Sequence, residues 1–73
     1  MVFSYNKLRG AIREKYGTQD NFAKALGMAR ATLNLKLSNT TEFTQSEILT
    51  AAKLLGAENN FDEYFFCLDV SKN

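Results

Sequence analysis

Residues 18–37 read TQDNFAKALGMARATLNLKL, and this stretch decides how the rest of the chain is read. Thr18 is a good N-cap for a helix that opens with Gln19 and Asp20, where a carboxylate suits the positive end of the helix dipole. Phe22, Ala25 and Leu26 recur at helical spacing and predict a buried stripe. Gly27 ends that helix, because the left-handed conformation of a C-terminal cap is cheapest for glycine. After Met28 the pattern restarts, with Leu33 and Leu37 one turn apart. The reading is two short helices joined by a tight turn. Ala23 permits close approach of the second helix, Gly27 makes the corner, and Leu33 anchors the second helix inside.

The flanking sequence supplies more helices. Ser4 is a candidate cap for a first helix reaching about Tyr16, with Tyr5, Leu8, Ile12 and Tyr16 as its inner face. Gly10 within it costs roughly 1 kcal/mol relative to alanine and marks a place for close helix contact. Beyond the polar run SNTTE (residues 38–42), Thr44 and Glu47 form a capping box, and Phe43 with Ile48 forms a hydrophobic staple. Ile48, Leu49, Ala52 and Leu55 are the expected core stripe of this fourth helix, and Gly56 terminates it. Asn60 can cap a short fifth helix within an aromatic segment, residues 59–70. The final DVSKN is expected to fray or extend. The fold class predicted is all-α, a bundle of about five short helices forming one domain over residues 1–73.

Composition sets outer limits. Seventy-three residues support one small core. The chain has no proline and 45% apolar residues, which favours a packed helical fold over disorder. No run of about eighteen apolar residues is present, so no membrane span is expected. The N-terminus lacks a basic-then-apolar leader, which argues against secretion. One cysteine, Cys67, cannot form an internal disulfide, and with no histidine a structural zinc site is not expected. The same absence leaves nucleophilic or metal chemistry without a base or ligand set, and no glycine-rich phosphate loop occurs. Neither an enzyme nor a cofactor is expected.

Net charge is +1, but it is unevenly spread. Through Thr41, seven bases (Lys7, Arg9, Arg13, Lys15, Lys24, Arg30 and Lys36) meet only Glu14 and Asp20, giving +5. From Glu42 onward, Lys53 and Lys72 meet six acids, giving −4. A basic lobe beside an acidic one suits docking on a polyanion or a charged partner; solvated helix faces would read the same.

Gln19, Ala23, Gly27 and Leu33, at spacings of four, four and six, resemble the helix-turn-helix of small phage repressors and Cro-like regulators. A YNKLRG stretch (residues 5–10) and a DEYFF stretch (residues 62–66) resemble the ends of small phage regulators of this kind. The resemblance implies a lambda-repressor-like domain with its motif at about residues 18–37, working in the cytoplasm of a bacterial host. It implies that the helix at about 30–37 enters the major groove. Gln19 then matches a phosphate-contacting residue that braces this helix, and Arg30, Ala31, Asn34 and Leu35 match base-facing positions. Arg30 can bind guanine bidentately, Asn34 can read adenine, and Ala31 or Leu35 can touch a thymine methyl. Thr32 and Lys36 are expected on one flank, although Lys36 stands where the family commonly has an apolar residue. Ser38, Asn39 and Thr40 can donate to phosphates, as can Lys7, Arg9, Arg13 and Lys15 from the first helix; plain connectors and solvated cations are the alternatives.

Two partners stay open. One is a double-stranded DNA operator. The other is a phage repressor protein, since some temperate phages encode small helix-turn-helix modulators of repression, or antirepressors, that bind their cognate repressor. Tyr64, Phe65, Phe66 and Leu68 either close the monomer's core or form a homodimer surface.

Overall fold

A computed structural model describes residues 2–68. Five helices follow one another: α1 (Asn6–Tyr16), α2 (Gln19–Leu26), α3 (Arg30–Leu37), α4 (Gln45–Leu55) and α5 (Phe61–Phe65). The domain is all-helical, with a Cα radius of gyration of 11.4 Å. No helix among the described residues is long and apolar enough to cross a membrane. The DVSKN tail lies outside the described residues.

The core forms where the apolar stripes converge. Leu8 and Ile12 from α1, Phe22 and Ala23 from α2, and Leu33 and Leu37 from α3 meet Ile48, Ala51 and Leu55 of α4 and Phe65 of α5. Phe22 is fully buried and its ring meets Tyr16 edge-on. Phe43 joins Tyr5 and Phe65 in two further edge-to-face contacts, at 5.5 and 5.2 Å between centroids. Such offset geometries suit the ring quadrupoles.

Local chemistry sets the helix ends. The Thr18 Oγ1 accepts from the Asn21 N–H at 3.1 Å, and Gly27 closes α2 in the left-handed region at φ 79°. At α4 the capping box is complete: Thr44 Oγ1 accepts from the Glu47 N–H, and Glu47 Oε1 accepts from the Thr44 N–H.

Several expectations need correction. α1 begins at Asn6, and Ser4 does not cap it; the Ser4 N–H instead donates to the Cys67 carbonyl, beside an antiparallel bridge between Phe3 and Leu68. Ala25 is exposed, and Ala23 takes the inner position on α2. On a wheel of about 100° per residue, Phe22, Leu26 and Ala23 fill one arc and Ala25 falls beyond it. Leu49 is exposed for the same reason, and Ala51 replaces it in the stripe of α4. Gly10 meets no close neighbour, so it does not mark helix contact. Asn60 occupies the cap position of α5 without donating or accepting a side-chain cap bond. Phe65 is buried, whereas Phe66 and Leu68 are exposed, so the aromatic run divides between core and surface.

Candidate functional site

α3 is the least enclosed of the three central helices. Its backbone packs against α2, and no Cα of α3 comes within 8 Å of a Cα of α1, α4 or α5. Leu33 and Leu37 hold its inner side in the core, while Arg30, Ala31, Thr32, Asn34 and Leu35 are all exposed. The side chains of Arg30, Thr32 and Asn34 make no hydrogen bond among the described residues. Leu35 sits in that polar face at 44% exposure. The result is one free surface carrying a guanidinium, a carboxamide, a hydroxyl and two apolar groups.

The start of α3 favours negative charge beside it. Ala29 supplies no side-chain cap, the first turn carries no acid, and Arg30 opens the helix. A cation there opposes the helix dipole, and the first N–H groups lack helical partners, so both favour an approaching anion. At the start of α2, Arg9, Ile12 and Arg13 line a recess of about 200 Å³ with Gly17, Thr18 and Gln19. Gln19 is half-buried there. Arg13, an outer-flank cation of α1 for which the sequence allows phosphate contact or plain solvation, lies in this recess; its neighbourhood depends on α1 meeting the turn before α2, which no local pattern discloses.

Other residues expected to meet a partner make polar contacts within the molecule, and one of them is buried. Lys36 is buried rather than on the flank: its Nζ lies 3.0 Å from Glu47 Oε1 and donates to the Glu42 carbonyl at 2.9 Å. Arg9 donates to the Leu37 carbonyl at 3.1 Å, closing the end of α3. Lys7 pairs with Glu63 on α5 and lies over the Tyr64 ring. That bond raises the Lys7 pKa and lowers that of Glu63. Asn39 binds the backbone of Phe3 with both ends of its carboxamide. Ser38 Oγ donates to the Leu35 carbonyl and shares a hydrogen bond with Thr40 Oγ1. Lys24 lies 3.6 Å from Asp20. Among the described residues, the cations of the basic half left without an ion pair or hydrogen bond are Arg13, Lys15 and Arg30.

These features define a small all-helical domain that presents one free helix face beside a basic recess. The chain belongs to the family described as "Protein of unknown function (DUF739)", whose model matches residues 1–67 and so takes in all five helices. No curated protein matches the chain.

Proposed function

We propose that the chain is a sequence-specific DNA-binding transcription regulator of Cro/repressor type, acting in the cytoplasm of a bacterial host. α2 and α3 form its helix-turn-helix, and α3 lies in the major groove. The observation that carries this reading is the free face of α3, where Arg30 and Asn34 stand unpaired among the described residues, with Ala31, Thr32 and Leu35 around them. Arg30 matches guanine O6 and N7, Asn34 matches adenine N6 and N7, and the apolar pair suits thymine methyls. Gln19 and Arg13, at the start of α2, take phosphates that fix the register without reading sequence. Two half-sites require a dimer, for which Phe66 and Leu68 supply exposed apolar contact, with Tyr64 at the edge and Phe65 withdrawn into the core.

A second reading has its own support. Leu35, large and exposed at the middle of the face, is the natural anchor for a protein surface with a polar rim. On that reading the chain is an antirepressor that binds a phage repressor's DNA-binding domain and blocks operator binding.

Selection of duplexes from a randomised pool, followed by a mobility-shift titration, tests the first reading. Enrichment of one sequence supports it. Equal binding of all duplexes, alongside tight binding of the cognate repressor's domain in calorimetry, replaces it with the second.

A further inference from the structure

α3 carries a buried cation where an apolar residue would be the ordinary choice. Lys36 is only 8% exposed, in a domain small enough to need every apolar contact. A buried ion pair is seldom more stabilising than well-packed apolar groups of the same volume, because desolvation offsets the attraction. Its distinctive property is direction. An ammonium held by two oxygens fixes translation and rotation, whereas apolar contact fixes mainly distance.

One of the two oxygens is itself held in place. Glu47 Oε1 is already held by the Thr44 N–H in the capping box of α4, and the Lys36 Nζ binds that same oxygen. The second acceptor, the Glu42 carbonyl, lies in the loop between α3 and α4. The backbones of α3 and α4 do not approach each other, so Lys36 is the polar link between the two helices among the described residues. Arg9, donating to the Leu37 carbonyl, ties the same end of α3 to α1. α3 is therefore tied at its C-terminal end to α1 and α4 by polar contacts, whereas the Arg30 side chain at its other end makes none among the described residues.

We infer that Lys36 is a positioning residue, which through Glu47 and the Glu42 carbonyl sets the seat of α3 and hence the aim of Arg30 and Asn34. This inference rests on the DNA-reading function for its consequence and on the Lys36 contacts alone for its mechanism. Lys36 touches no ligand itself. A small rotation of α3 displaces the tips of Arg30 and Asn34 from bidentate register but leaves phosphate contacts at α2 in place. Specificity, rather than overall affinity, is what Lys36 controls.

The experiment uses the full chain with Lys36→Met, Lys36→Arg and Glu47→Gln. Three quantities are measured: the melting temperature, the backbone amide shifts of residues 30–37, and the affinities for a selected and a random duplex. Lys36→Met, which keeps the volume, is expected to melt near the wild-type temperature and to shift the α3 amides. The ratio of selected to random affinity should fall about tenfold, with random affinity unchanged. Lys36→Arg, which keeps a cation within reach of Glu47, should recover most of the ratio. If Lys36→Met does not fold, Glu47→Gln carries the test, because a glutamine still accepts from the Thr44 N–H but drops the charge. A folded variant with unmoved α3 amides and an unchanged ratio overturns the inference. If the wild-type chain selects no duplex, the function reading fails alone, and the amide shifts still decide whether Lys36 seats α3.

Discussion

The carboxamide of Asn39 satisfies both backbone polar groups of Phe3: the Phe3 N–H donates to Oδ1 at 3.1 Å and Nδ2 donates to the Phe3 carbonyl at 2.9 Å. Asn39 holds φ at 66°, a left-handed conformation that asparagine tolerates better than most residues. One side chain therefore fastens the N-terminal segment to the end of α3, while the neighbouring Ser4 N–H fastens that segment to Cys67. Asn39→Ala removes both bonds and keeps the backbone strain, so a loss of about 1–3 kcal/mol is expected in urea unfolding. Asn39→Gly relieves the strain and loses only the clamp, so it should fall between alanine and wild type. A glycine variant less stable than the alanine variant would assign the residue's value to something other than φ.

Phe22 tests the core directly. It is fully buried on the inner side of α2 within the core cluster, and its ring packs on Tyr16. Phe22→Ala should cost about 3–5 kcal/mol, a large share of what a domain of this size has. Circular dichroism on heating is expected to show a broad, low transition. A cooperative melt near the wild-type temperature would contradict this packing.

Most of the helix plan was legible because it rests on local chemistry. Thr18 and Gly27 bracket α2, and Thr44, Glu47 and Gly56 bracket α4, each through contacts only a few residues apart. The roles of cations were not legible. Lys36 lies three residues from Leu33, about 60° around the helix, so spacing alone allowed it an inward position. Residue type argued for the surface, and the Glu42 carbonyl together with Glu47, eleven positions on, reverses that. The intramolecular partners of Arg9 and Lys7 were not legible for the same reason: Leu37 and Glu63 are brought near by the tertiary fold. Asn39 looked like any polar loop residue, since its clamp depends on a segment thirty-six residues away. The free face of α3 was legible, because its inner leucines fix what points outward.

Acid should loosen the junction of α3 and α4. Burial alone would raise the Glu47 pKa, but the Thr44 N–H and the Lys36 ammonium outweigh it and hold the carboxyl below its ordinary 4.5. A depressed carboxyl contributes stability that is fully present above its unfolded value. That contribution is lost as pH falls through the folded value, so the window lies below about pH 4.5. Glu47→Gln should flatten this part of the stability profile and leave the neutral-pH cap largely intact. An unchanged acid limb in the variant would mean that other carboxyls set it.

Arg9 and Arg30 should separate stability from binding. Arg9→Ala leaves the Leu37 carbonyl without its partner at a half-buried site, so a loss of about 1–3 kcal/mol in stability is expected. Arg30→Ala touches nothing inside the fold and should melt like wild type. On the DNA reading it weakens the preferred duplex by about 1–3 kcal/mol and relaxes preference at one base pair. Arg13→Ala should instead weaken all duplexes alike and flatten the salt dependence by about one unit. Equal losses for Arg30→Ala on preferred and random duplexes would reject its reading role.

Leu35 distinguishes the two partners. It lies on the free face of α3 beside Ala31, Thr32 and Asn34, outside the core cluster, so truncating it leaves the interior unchanged. Against a duplex its contribution is limited to a thymine methyl, and Leu35→Ala should weaken binding by less than about 1 kcal/mol. Against a protein it would stand at the middle of the contact, ringed by Arg30, Thr32 and Asn34, and its removal should cost about 2 kcal/mol or more. The remaining cations would then act mainly on the association rate, through attraction to an acidic patch. Calorimetry with the selected duplex, and separately with the cognate repressor's DNA-binding domain, reads both values on the same two proteins. A small loss on DNA with no repressor binding keeps the transcription-regulator reading; tight repressor binding that Leu35→Ala abolishes transfers the function to antirepression.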